Sequence, residues 1–234
     1  MSKILMVISG ADRLAMADGS THPTGYWAEE VAASHEVLTA GGADVEVATP
    51  GGVRPTADEL SFDERGGVSE EDAQKFRAYL DEIADQLSAP RSLARVQAAD
   101  YDAIYIPGGH GPMADLVSDK DLGRLLNEAV DGGKTVVALC HGVAALLSAE
   151  TPDGEFTFDG RTLTAFSDEE ERQGGLADNI PFSVEGRLRD SGARVTPGAP
   201  WSNTVIQDGN LITGQNPQSS VATALKTLET LAAR

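Results

Sequence analysis

The sequence predicts an α/β fold with a central, mostly parallel sheet and helices on both faces. Three observations carry the prediction. The chain opens on a compact apolar strand, KILMVIS (Lys3–Ser9). A second run of β-branched and small apolar residues ends at Val136–Leu139, and segments with helical spacing alternate with strands between and after them. Strand, helix, strand, helix in this order implies right-handed crossovers around a parallel sheet.

The elements follow in order. After the first strand comes a polar stretch holding DGSTHPTG, and then a helix over about Tyr26–Ala40. Trp27, Val31, Ser34, Val37 and Leu38 stand near helical spacing, Glu29 and Glu30 fall in the first turn, and Gly41-Gly42 stops the helix. DVEVATP (Asp44–Pro50) alternates as a second strand. From Gly51 to Val68 no period is visible, and so long a loop in a compact domain is read as part of a cap or dimer contact, around residues 51–90. Ser69 caps a helix with a stripe of Phe76, Leu80, Ile83 and Leu87 that Pro90 closes.

DYDAIYIPGGHGPMADL (Asp100–Leu116) is a strand running into a glycine-rich loop, and Leu122–Val130 form a helix ended by Gly132-Gly133. Beyond the cysteine, Val143–Leu147 read as a helix start and Thr162–Phe166 as a strand. Phe182–Leu188 show a short helical pattern, Ala193–Thr196 a strand, and Thr204–Thr213 two strands around Asp208-Gly209. In a last helix from near Ser219, Val221, Leu225, Leu228 and Leu231 are expected to pack onto the sheet.

At 234 residues the chain fits one domain, residues 1–234, with the cap as an insertion. A single cysteine excludes an intrachain disulfide framework and a zinc–cysteine cluster, and suits a reducing compartment. The start is too short and too poor in charge for a signal peptide, and no apolar run approaches a membrane span, so a cytoplasmic, soluble protein is expected. A net charge of −19, from 37 acidic and 18 basic residues, repels phosphate backbones and anionic membranes, which argues against nucleic acid as a tight electrostatic partner.

The chemistry centres on VVALCHG, where the only cysteine, Cys140, ends a strand and is followed by His141 and Gly142. At a strand-to-helix turn the thiol would face unpaired N–H groups and the positive helix end, which favour thiolate. A small buried apolar residue explains this stretch equally well. Ligands in open α/β sheets bind beyond the carboxyl ends of strands, and four polar groups follow such ends: Glu30, the loop Gly108–Gly111, Cys140-His141 and the acidic run Asp168–Glu171. Thiol, imidazole and carboxylate on one rim would make an activated nucleophile. By themselves Glu169–Glu171 also read as a solvated turn, and Glu30 as a carboxylate at a helix N-terminus.

THPTGYWAEE, YIPGGHG, ALCHG, LTAFSDEEE, PWSNTV and DGNLITGQNPQSS, in this order over nearly the whole chain, resemble the glutathione-independent glyoxalase and chaperone branch of the ThiJ/PfpI superfamily. The resemblance implies the class I glutamine amidotransferase-like, flavodoxin-like fold. It implies Cys140 as nucleophile, His141 as its triad histidine, Glu171 as the triad carboxylate with Glu170 the nearest competitor, and Glu30 as a carboxylic acid facing the sulfur. Gly108, His110 and the backbone N–H groups of Gly109 and His141 would line the oxyanion side, and Trp201 would either wall the pocket or belong to the core. His22 and His35 receive no chemical role. Val143 stands where the family often has proline, and Ala33-Ser34 where it often has His-Pro.

The implied reaction is of the D-lactate dehydratase type, converting methylglyoxal to lactate through a Cys140 hemithioacetal, with no cofactor or metal and with His141 or Glu30 as base. A shielded Glu30 would begin protonated. Protein deglycation is a related activity, and a homodimer is the family expectation. Two other classes stand beside this one: a stress-response holdase or thiol redox sensor, and a cysteine-dependent peptidase or amidase.

Overall fold

In the computed structural model, which describes residues 1–233, the alternation runs as the sequence predicts, with additions between the long elements. Strand β1 (Lys3–Val7) leads into a hairpin of β2 (Arg13–Ala15) and β3 (Thr21–Pro23), then α1 (Ala28–Ala40) and β4 (Asp44–Thr49). Three 3-10 turns follow, then α2 (Glu70–Glu82), α3 (Ala84–Ser88), β5 (Arg91–Ser92), β6 (Ala103–Ile106), α4 (Gly111–Ala114), α5 (Lys120–Asp131) and β7 (Thr135–Leu139). A nine-residue 3-10 run over Cys140–Ser148 comes next, before β8 (Thr162–Leu163), α6 (Asp168–Gly174), α7 (Val184–Asp190), β9 (Arg194–Val195), β10 (Val205–Asp208), β11 (Leu211–Gly214) and α8 (Ser220–Ala232).

Seven strands form one sheet in the order β10-β11-β7-β6-β1-β4-β5. Its pairings are parallel except for β10 with β11, the hairpin expected around Asp208-Gly209. Because side chains alternate along a strand, each central strand feeds both faces. Leu5, Val7, Ile104, Ile106, Val136 and Ala138 join one core with α5 and α7, while Ile4, Met6, Tyr105, Val137 and Leu139 join another with α1, α2 and α8. Each fully buried large aliphatic side chain contributes about 1.5–3 kcal/mol.

Several expectations are corrected. The helix read through Leu87 is broken at Ile83, where backbone angles of −99° and 14° separate α2 from α3. The start read at Val143–Leu147 is 3-10 rather than α. In α8, Val221 and Leu225 are 47% and 54% exposed, so the first half of the expected stripe faces outward, while Leu228 and Leu231 pack against the core as expected. Ser220, Thr223, Ala224 and Thr227 join Leu231 on the inward face. Small residues let α8 lie close against its neighbours, and the Thr223 and Thr227 hydroxyls donate to the carbonyls of Ser219 and Thr223, both at 2.8 Å, so burying them leaves no orphan donor.

The loops after β6 and β7 touch through backbone. A Cβ on Gly142 would lie 2.6 Å from the Pro107 carbonyl oxygen, and one on Gly108 would lie 2.8 Å from the Gly142 nitrogen. Gly142→Ala is therefore expected to cost about 1–3 kcal/mol through overpacking. A thermal melt checks this against Gly174→Ala, a helical position with open space around it, where stability should hold or rise.

Candidate active site

Cys140 is 3% exposed and sits at the carboxyl end of β7 with φ of 57°, a left-handed backbone that bulky L-residues avoid at a cost of about 1–3 kcal/mol. Extended β7 on one side and the 3-10 run on the other hold the turn, and the Phe166 N–H donates to the Cys140 carbonyl at 3.4 Å. The turn projects the sulfur toward the loop after β6, where the backbone N–H groups of His141 and Gly109 reach it.

The sequence-predicted groups converge here. Cys140 Sγ lies 3.3 Å from His141 Nδ1, and His141 Nε2 lies 2.7 Å from Glu171 Oε2. His110 Nε2 stands 3.4 Å from the other oxygen of the same carboxylate, Glu171 Oε1. The His141 ring lies between Phe166, stacked at 4.3 Å, and His110, at 4.1 Å. Glu30 is fully buried, and its Oε2 accepts the Gly108 N–H at 2.6 Å. Its Oε1 has no hydrogen-bond partner among the described residues, and the carboxyl as a whole interacts with the Cys140 thiol.

The acidic run forms a capped helix rather than a solvated turn. Ser167 and Glu170 make a capping box at the start of α6, which turns Glu170 and Glu171 inward. The two then part company. Glu170 Oε2 accepts from Ser167 N at 2.9 Å, Ser167 Oγ at 2.8 Å and Gln215 Nε2 at 3.2 Å. Its Oε1 accepts from Trp201 N and Asn216 Nδ2, both at 2.8 Å. These five donors tie Glu170 to the scaffold, and Glu171 alone meets the histidines.

The titratable groups are driven apart. Burial pushes Glu30 up to about 8, against lesser opposing contributions from Cys140 and the Gly108 N–H. Burial also raises Glu171, but the neighbouring His141 and the hydrogen bonds from His110 and His141 outweigh it and hold the carboxyl well below its usual range. Burial and the adjacent His110 lower His141, leaving a neutral base. The expected easy thiolate is not found: burial pushes the Cys140 thiol up, Glu30 adds to this, and the His141 and Gly109 N–H groups oppose it only in part. Desolvation acts on the whole sulfur charge, whereas the turn supplies two dipoles.

A cavity of about 430 Å³ opens above these groups. Trp201 lines it at 39% exposure, edge-on to Phe166 at 5.5 Å and donating from Nε1 to Gln173 Oε1 at 2.6 Å. Trp27, Leu60, Arg65, Val68 and Leu176 line it as well, none of which the sequence marks as a site residue. The only hint of the middle three was the aperiodic stretch Gly51–Val68. His35 of α1 bonds Tyr79 of α2 and Gln86 of α3, away from the cavity. Ser34, where the family often has proline, accepts the buried Tyr105 hydroxyl at 2.8 Å.

The chain is similar to Glyoxalase 3 of Candida albicans, 27% identical over 234 residues and 96% of each chain. It is also similar to the glutathione-independent glyoxalase HSP31 of Saccharomyces cerevisiae, 27% identical over 237 residues and 98% of each. Among solved structures, glyoxalase III of Candida albicans superposes with a TM-score of 0.82 at 27% identity, over 97% of this chain and 96% of that one. The DJ-1/PfpI family model matches residues 23–230, the span from the β2–β3 hairpin to α8 that contains every group of the site, and the chain belongs to that family.

Proposed function

We propose that this chain is a glutathione-independent glyoxalase that converts methylglyoxal to lactate on Cys140. One observation carries the reading: Glu30, a fully buried carboxyl that burial pushes up to about 8, stands against the Cys140 thiol with one oxygen free of hydrogen bonds among the described residues. A thiol hydrolase needs its nucleophile and histidine, but a proton shuttle at the adjacent carbon needs a second acid/base group. Similarity to two proteins named as glyoxalases, in Candida albicans and Saccharomyces cerevisiae, supports the same class.

In the proposed reaction the Cys140 sulfur attacks the aldehyde carbon as His141 Nδ1 takes the thiol proton, and Glu30 protonates the aldehyde oxygen to give a hemithioacetal. The Glu30 carboxylate then removes the hydrogen from that carbon, and the His141 proton passes to the ketone oxygen, forming an enediol. Glu30 returns its proton to the second carbon and regains one from the first hydroxyl, leaving a thioester of lactate. Water activated by His141 breaks the carbon–sulfur bond, and the departing sulfur recovers its proton. Throughout, the Glu171 carboxylate orients His141 and stabilises its charged form. Deglycation belongs to the same reading, since an aldehyde adduct presents the same carbon to the sulfur. A thiol raised by burial gives a redox-sensor reading less support than a low-pKa, exposed one would.

We assign residues 51–90 as a cap on one domain, because Leu60–Val68 supply one side of the cavity. A homodimer in the cytoplasm completes the proposal. Sedimentation of the purified chain at a mass of two chains supports the dimer, and a mass of one removes it.

Incubated with methylglyoxal alone, the purified protein should release lactate, and Cys140→Ser should lower the rate by about a thousandfold or more. Output unchanged by the substitution would overturn the mechanism.

Glu30→Gln should lower turnover by about 10²–10⁴ while raising the melting temperature at pH 7.5. Between the ordinary carboxyl value of 4.5 and about 8, native Glu30 retains a proton that the unfolded chain has released. Wild-type stability therefore falls as pH rises through this window, by up to about 1.4 kcal/mol per unit. Glutamine has no such dependence, so the gap in melting temperature should close toward pH 5; a gap independent of pH would show that Glu30 is ionised in the native state.

A further inference from the structure

We propose that His110, His141 and Glu171 form a binding site for a divalent transition-metal ion of the Zn²⁺ class, and that its occupancy switches Cys140 off. Orienting His141 requires one imidazole on the Glu171 carboxylate, yet a second, His110, meets its other oxygen. The three side chains come from separate elements, the turn before α4, the turn after β7, and α6, and each offers a ligand atom within 4.8 Å of the others.

The spacing suits a metal. Bonds of about 2.0–2.1 Å in tetrahedral geometry separate neighbouring ligand atoms by about 3.3 Å. His110 Nε2 and Glu171 Oε1 already stand 3.4 Å apart. His141 Nε2 and Glu171 Oε2, at 2.7 Å, would have to open by about half an ångström. The cavity borders all three residues and leaves a fourth position to water. Two imidazoles and one carboxylate select borderline ions over Mg²⁺ and Ca²⁺, and the net charge of −19 favours cation approach. The sulfur is not a ligand, since Cys140 Sγ lies against Nδ1, the opposite nitrogen of the His141 ring.

Binding would take the Nε2 lone pair of His141 and replace its hydrogen bond to Glu171. The single proton of the neutral ring then resides on Nδ1, which no longer accepts the thiol proton. No electron is transferred, and removal of the ion restores the resting state. The site goes beyond the proposed glyoxalase activity and is tested without measuring turnover.

The full-length Cys140→Ser protein is titrated with Zn²⁺ by calorimetry and with Co²⁺ by visible absorption. One site per chain is expected, with the strong d–d bands of low coordination. Adding His110→Asn or, separately, Glu171→Gln should weaken binding by about tenfold or more. Circular dichroism confirms that each variant is folded, and either one suffices. In the wild type, Zn²⁺ should slow iodoacetamide alkylation of Cys140 and a chelator should restore it, while His110→Asn should lose this sensitivity. Absence of a site in Cys140→Ser, or binding indifferent to both added substitutions, overturns the site. Alkylation indifferent to bound Zn²⁺ overturns the switch.

Discussion

The backbone contact between the loops after β6 and β7 is the constraint on which the rest of the site depends. Gly108 and Gly142 approach so closely that neither position has room for a Cβ. This approach sets the Gly108 N–H on Glu30 and brings the Gly109 N–H to the sulfur. It also helps hold the strained φ of Cys140, because β7, paired with β6, fixes the entry to the turn and the 3-10 run from Cys140 to Ser148 fixes the exit. A local cost of a kilocalorie or so is sustained by two strands buried on both faces.

Around this contact two buried carboxyls are held in opposite states. Glu171 faces two imidazoles and stays ionised, whereas Glu30 faces a thiol and one N–H and stays protonated. Burial alone would raise both, so the partners decide. The difference separates the residue that orients the base from the residue that carries protons to and from the substrate. It leaves His141 neutral, able to serve either a proton or a metal ion.

Glu170 has the opposite task from its neighbour. Its five donors bind the start of α6 to the segments around Trp201 and Gln215-Asn216, so that the helix presenting Glu171 and the aromatic wall of the cavity move as one unit. Each such hydrogen bond contributes about 0.5–1.5 kcal/mol net. The left-handed backbone at Trp201, with φ of 60°, is held by the same network.

The sequence by itself determined the alternation of elements, since apolar period and capping are local properties: VVAL is a buried strand and Ser69 a helix cap wherever they occur. The six ordered blocks also picked out Cys140, His141, Glu30 and Glu171. Tertiary structure decided what no local pattern encodes. It separated Glu170 from Glu171, because one residue's rotation around α6 aims one carboxylate at the scaffold and the other at the histidines. It turned Val221 and Leu225 outward, because hydroxyls that satisfy their own helix carbonyls can be buried where the pattern favours aliphatics. It brought His110 to Glu171 across 61 residues of chain, and it raised the Cys140 thiol that the turn alone would have lowered. Desolvation depends on everything packed around a group, and only the folded chain supplies that environment.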